Sequence, residues 1–322
     1  MALPRHGRQA ALGFGAETTW GTAVARTHWV RSMSSGLMLR DAKRPRPSLY
    51  DGTAGVSRKH NVAEQEAGGP IQWIFGFEGQ GLLVAHALWG TPSTTGPVSG
   101  IYTHTYALGA APPTGGLTIE EARGTDPSTN VSRVYEGGRL NSLEWAIQAS
   151  GLVECSADVI AETHSGEATT GTITFTSNEV EALHHNLSTV SWNSATYADL
   201  TSARVKLDNG LARRYRLGAR TTKEPSLSER KVSIEIELDY ADATLLTGHT
   251  ADTQSDLVLS CTGTGSRSIQ WTLHNAFVDS LEDPVQNKGV LTQRVRFSGE
   301  ADATDQGLTV VIANTQSTAQ AA

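Results

Sequence analysis

Apolar and polar positions alternate along most of this chain, and the alternating runs come in two series of the same order. The clearest run is Ile71, Trp73, Phe75 and Phe77, interleaved with Gln72, Ile74, Gly76 and Glu78. A period of two puts four large side chains on one face of a strand. Behind it, Gly81-Leu-Leu-Val-Ala-His-Ala-Leu-Trp89 holds good helix formers, lacks turn residues and stops at Gly90. It predicts a short, glycine-capped helix. Further strands are predicted at 29–33, 37–39, 102–106, 117–121 and 132–135 and from 140 onward, with Gly137-Gly138 as a hairpin turn between the last two. His104, flanked by threonines, reads as a half-exposed sheet residue. Residues 1–30 are polar and then rich in turn chemistry around Gly15-Ala-Glu-Thr-Thr-Trp-Gly-Thr22, so they are expected to form an arm and not a core strand. The second series predicts strands at 188–192, 203–207 and 231–240, a helix at 241–246, and strands near 256–262, 267–273, 276–281, 290–298 and 307–313. Residues 316–322 are expected to fray.

The two series share sequence as well as order. Leu140-Asn-Ser-Leu-Glu144 returns 138 residues later as Val278-Asp-Ser-Leu-Glu282, and seven positions after each glutamate stands a glycine, Gly151 or Gly289, followed by a strand-like run. Upstream, Ile71–Phe77 aligns with 234–240, and Leu82-Leu83 with Leu245-Leu246, at an offset of 163. Different offsets between matched blocks are what one core with unequal surface loops produces. An internal duplication is therefore expected, with a first domain at 1–168, a second at 169–322, and the polar stretch 163–171 at the boundary. Many short strands with one short helix per half predict an all-β chain of two tandem antiparallel sandwich or barrel domains.

Length supports this division, since 322 residues give each half enough chain to bury a core. With 38% hydrophobic and 18% charged residues the composition is globular. No apolar run reaches twenty residues, so no membrane span is expected, and the N-terminus carries no secretory apolar stretch, which suggests cytosolic assembly. Cys155 and Cys261 each lie in a strand-like run and read as small core residues. Charge is more informative. Segments 43–60 and 209–231 hold twelve of the 26 Lys and Arg against three acids, so the loops carry +9 and the rest of the chain −16 within a net −7. These are either two solvated loops or basic arms that meet an acidic body on a neighbouring subunit.

Catalytic chemistry is not in view. The chain has no phosphate loop, dinucleotide fingerprint, nucleophile elbow or HExxH helix. His184-His185 and Glu120-Glu121 are adjacent on strands and project to opposite faces, which does not suit a shared metal ion. No catalytic, cofactor-binding or metal-binding residue is nominated, and the chain is not expected to be an enzyme. The basic loops lack the aromatic interleaving of a nucleic-acid groove.

Gly15-x-Glu-Thr-x-x-Gly-Thr22, Leu117-Thr-Ile-Glu120 and Tyr135-Glu-Gly-Gly-x-Leu-Asn-Ser-Leu-Glu144, which leads into a long strand, together resemble the tail tube (major tail) proteins of long-tailed bacteriophages. The second half departs from the pattern, reading Leu273-His-Asn-Ala where the first has Tyr-Glu-Gly-Gly. The resemblance implies a virion structural protein, assembled in the host cytoplasm, whose sandwich or barrel domains close into rings stacked as a hollow tube for genome passage. Two-domain members form rings of three with pseudo-sixfold geometry. Other copies of the chain would be its main partner, with tape-measure, tail terminator and distal tail proteins beside it, and DNA would pass without specific binding. Contact residues between subunits and rings would be Trp20, Lys43, Arg44, Arg46, Arg58, Lys59, Arg213, Arg214, Arg216 and Arg220. A β-sandwich binding module and a capsid decoration protein are the competing readings.

Overall fold

The computed structural model describes residues 10–43, 64–123, 131–148, 151–169, 173–175, 188–197, 199–240, 243–282, 291–301 and 307–320. The first series comprises β1 (Ala10–Ala16), β2 (His28–Ser35), β3 (Met38–Lys43), β4 (Glu64–Ile74), α1 (Gly81–Leu88), β5 (Ser93–Val98), β6 (Ile101–Ala107), β7 (Leu117–Arg123), β8 (Val131–Gln148), β9 (Glu154–Ala161) and β10 (Thr163–Thr169). The second comprises β11 (Ser188–Trp192), β12 (Ala195–Tyr197), β13 (Leu200–Asp208), β14 (Ala212–Arg214), β15 (Lys223–Ser226), β16 (Lys231–Asp239), α2 (Thr244–Thr250), β17 (Ser255–Thr262), β18 (Ser268–Glu282), β19 (Thr292–Ser298) and β20 (Leu308–Asn314). The fold is all-β and antiparallel with two short helices, as the alternation predicts.

One long strand organises each series. The first part of β8 pairs with β7 and β10, and its last part with β9 and β13. The hairpin expected at Gly137-Gly138 is instead a corner inside this single strand. Gly137 is left-handed at φ +63°, and a Cβ there would lie 2.9 Å from the Glu162 side chain and 3.0 Å from the Trp20 ring. Glycine meets both demands at once. The first part of β18 likewise pairs with β17 and β20, and its last part with β19. Its corner is Asn275, at φ +48°. Asparagine is among the few side chains that tolerate this conformation, which accounts for Asn275 standing where the first series has Gly137.

The register repeats residue for residue. Leu140 opposes Val159 and Ser142 opposes Asp158, with Asn141 bulged between; Val278 opposes Phe297 and Ser280 opposes Arg296, with Asp279 bulged between. Every one of these positions differs by 138. The next strand corrects the alignment upstream: Gly69 opposes Val159 while Ile234 opposes Phe297, an offset of 165 and not 163. A two-residue shift keeps every side chain on its face, so the alternation alone could not reveal it. Beyond the corner, β2–β1–β7–β8–β10 and β12–β11–β17–β18–β20 follow the same path. The path then runs on from β20 through β6 to β5, so the last strand of the chain extends a sheet of the first series.

A single large hydrophobic cluster takes residues from both series. Trp145 and Trp271 meet edge to face across it, with ring centroids 5.8 Å apart. Cys155 and Cys261 are buried and unbridged, as expected. Four readings change. The N-terminal segment supplies a core strand, because Leu12 and Phe14 of β1 are fully buried. Residues 163–169 of the polar stretch form β10. The second helix starts at Thr244, three residues later than expected. The C-terminal tail is docked: the Gln316 and Gln320 side chains accept hydrogen bonds from the backbone N–H of Gly79 and Leu82, at 3.2 and 3.0 Å.

Candidate assembly interface

The three motifs that carry the resemblance meet at one carboxylate. Glu17, 4% exposed, accepts hydrogen bonds from the backbone N–H of Gly21 (3.0 Å), the Thr118 hydroxyl (2.9 Å) and the backbone N–H of Gly137 (2.9 Å). A buried carboxylate with three donors is a strong structural tie. It pins the turn after β1 to the corner of β8. Trp20 lies in the same knot, with the Arg139 guanidinium 5.0 Å from its ring centroid. Arg139 is itself buried and bonded to Glu224 and to the Pro113 carbonyl, both at 2.6 Å. Trp20 therefore packs against its own chain.

The basic segment 209–231 divides into a buried and an exposed part. Asn209, fully buried, donates to the carbonyls of Ala87 and Leu140 at 3.0 and 2.8 Å. Arg230 donates to Asn209 Oδ1 (2.8 Å), to the Gly109 carbonyl (2.6 Å) and to Ala87 and Leu88, and its guanidinium sits 3.9 Å from the Trp89 ring centroid. A cation at the last carbonyls of α1 is favoured by the helix dipole, although burial lowers its pKa to about 10. Arg213 turns inward and donates to the Ala67 carbonyl at 2.8 Å. Arg214, Arg216 and Arg220 are exposed, and Leu217 between them is fully so. Sequence reasoning passed over Leu217, because a lone leucine in a charged loop has no periodicity to mark it. Lys43 ends β3, while Arg44, Arg46, Arg58 and Lys59, with His184-His185, lie outside the described residues.

His104, Glu120 and Glu121 are buried and partnered within the chain. His104 is 1% exposed, against the half-exposed expectation, with contacts to Thr94 Oγ1 (2.9 Å) and Asn314 Oδ1 (3.0 Å). Glu120 and Glu121 are both buried and paired, with Arg26 and Arg123 respectively. Among the described residues no group of three His, Cys, Asp or Glu could hold a metal, and no helix is long and apolar enough to cross a membrane.

What remains is a pair of sheet ends. The strands β3–β4–β9–β8–β13–β16–β19–β18 form one continuous antiparallel row. Its centre is the β8–β13 seam, where Ser142 opposes Asp208 and Gln148 opposes Ser202. Among the described residues, β3 at one end pairs only with β4, and 280–282 of β18 at the other pair only with β19. Met38 and Leu39 are 49% and 37% exposed on the first of these ends. Unpaired edges carrying apolar side chains are sites of strand addition.

A family model described as phage tail tube protein matches residues 7–310. No curated protein matches. Among solved structures the chain is similar to Hcp1 from Flavobacterium johnsoniae, at 16% identity over 35% of this chain and 89% of that one, with a TM-score of 0.24 that carries no argument about fold.

Proposed function

The chain belongs to the phage tail tube protein family, and from that premise we propose that three copies close into a ring with pseudo-sixfold geometry, and that such rings stack into the hollow tube through which the genome passes. The observation that carries this reading is the eight-strand row whose two ends pair no further among the described residues, with a repeated register on either side of its central seam. A head-to-tail contact between one end and the other removes both free edges only when the ring closes. Three rows give six equivalent seams, three within chains and three between them. The same repeat supports a duplicated organisation, with domains at 1–168 and 169–322 that share one core.

Stacking falls to the basic segments. Arg214, Arg216 and Arg220, with Leu217 at their centre, form an exposed apolar tip inside a positive rim, suited to the acidic body of the next ring. The segment around 43–60 occupies the corresponding place in the first series. An acidic lumen would let DNA slide without adhering. Tape-measure, terminator and distal tail proteins would be the further partners, in a virion tail built in the host cytoplasm. Negative-stain electron microscopy of the purified chain, concentrated and across a salt series, tests the reading. Stacked rings with three double lobes are expected; monodisperse single chains at every salt would favour the binding-module alternative.

A further inference from the structure

Resting on the ring reading, we infer that the contact between neighbouring copies repeats the internal β8–β13 seam, with the 280–282 edge of β18 pairing antiparallel to β3 of the next copy: Ser280 opposite Arg40, Leu281 opposite Leu39 and Glu282 opposite Met38. The register follows from strand equivalences alone. Ser142, Leu143 and Glu144 correspond to Ser280, Leu281 and Glu282 through the 138-residue offset established against β9 and β19. Gly68 and Ser233 are equivalent through the same pair, and they oppose Met38 and Lys206 respectively. Met38 therefore stands where Lys206 stands, Leu39 where Leu207 does, and Arg40 where Asp208 does. Internally, Leu143 faces Leu207 and both are buried, at 1% and 0% exposure. Their counterparts Leu281 and Leu39 keep the aliphatic character but are partly open, as half-made copies of that contact would be. Arg40 would also lie diagonal to Glu282, within reach of opposite charge across the new seam.

The helices point to the same partner. Asn209 and Arg230, joined at 2.8 Å, clamp the C-terminal carbonyls of α1, which is buried throughout. In the equivalent strands their positions are held by Asp41 and Gln65, joined at 3.2 Å. The second helix, α2, buries only Leu245 and Gly248 and leaves Leu246 39% exposed. In a ring built on repeated seams, the Asp41–Gln65 pair of one copy comes to the end of α2 on the next and covers it.

Two double variants test the register, Arg40→Cys with Ser280→Cys and Leu39→Cys with Leu281→Cys. Adjacent antiparallel pairs alternate between hydrogen-bonded and non-hydrogen-bonded geometry, and the closer non-hydrogen-bonded pair is the one suited to a disulfide. Mild oxidation of assembled rings is expected to convert most chains of one double variant into covalent three-chain species, and to leave each single variant as single chains. On the unaltered protein, amide hydrogen exchange at 38–41 and 280–282 should slow by at least about tenfold on assembly. Rings that form with no cross-link in either double variant and no protection at these edges would overturn the register and leave the ring reading standing. Failure of the unaltered chain to form rings at all would overturn both.

Discussion

At Gly137 three constraints fall on one residue: a left-handed backbone, no room for a Cβ beside Glu162 and Trp20, and an N–H committed to Glu17. Gly137→Ala is expected to cost about 1–3 kcal/mol, the range for a residue held in a strained backbone region. Asn275→Gly, at the equivalent corner, should change stability by less than about 1 kcal/mol; urea unfolding measures both. His86 gives a pH signature. Burial first, and then the charge of Arg139, lowers its pKa from 6.5 to about 3. The folded protein therefore holds His86 neutral while the unfolded chain protonates below pH 6.5. Its contribution is present above pH 6.5 and is lost as pH falls toward 3, with a slope approaching about 1.4 kcal/mol per pH unit. His86→Leu should flatten that part of the stability profile. The corner itself was legible as a glycine signal but not as a corner, because Gly-Gly serves a hairpin equally well. His104 was misread for a different reason: its alternating threonine neighbours fit an exposed edge, and one of the side chains that enclose it, Asn314, lies 210 positions away.

Among the elements, α1 shows how the second series completes the first. Its N-terminal turn is bonded by Gln320 and its C-terminal carbonyls by Asn209 and Arg230. Arg230→Ala would strip several charged hydrogen bonds and a stacked cation from buried carbonyls and a Trp ring. A loss of about 2–4 kcal/mol is expected in thermal or urea unfolding, since charged hydrogen bonds contribute about 1.5–3 kcal/mol each and are not additive. Lys231→Ala, at an exposed neighbour, should stay within about 0.5 kcal/mol. The strong strands were readable because large side chains alternate in them. The first strand was not, because Ala10-Ala-Leu-Gly-Phe-Gly-Ala16 offers only two large apolar residues among small ones. The fully exposed β5 buries no face to leave a pattern.

Across the whole molecule, the structure sorts the members of the basic segment 209–231. Arg213 is bound to its own chain, whereas Arg214 and Arg216 face outward. Arg213→Glu should therefore lower the unfolding midpoint, while Arg214→Glu should leave the unfolding midpoint and ring formation unchanged and weaken stacking, seen as shorter tubes at a given salt concentration. The repeated register around β8 and β18 was legible from a five-residue match because the bulge and the strand contacts around it recur 138 residues on. The 165-residue offset, the shared core and, among the described residues, the unextended ends of the sheet row needed three dimensions, since they depend on which strands become neighbours. If one chain supplies two sixths of a ring, native mass spectrometry of rings released from tubes will show it. A dominant species of three times the 34.3 kDa chain mass is predicted; a six-chain ring would contradict it.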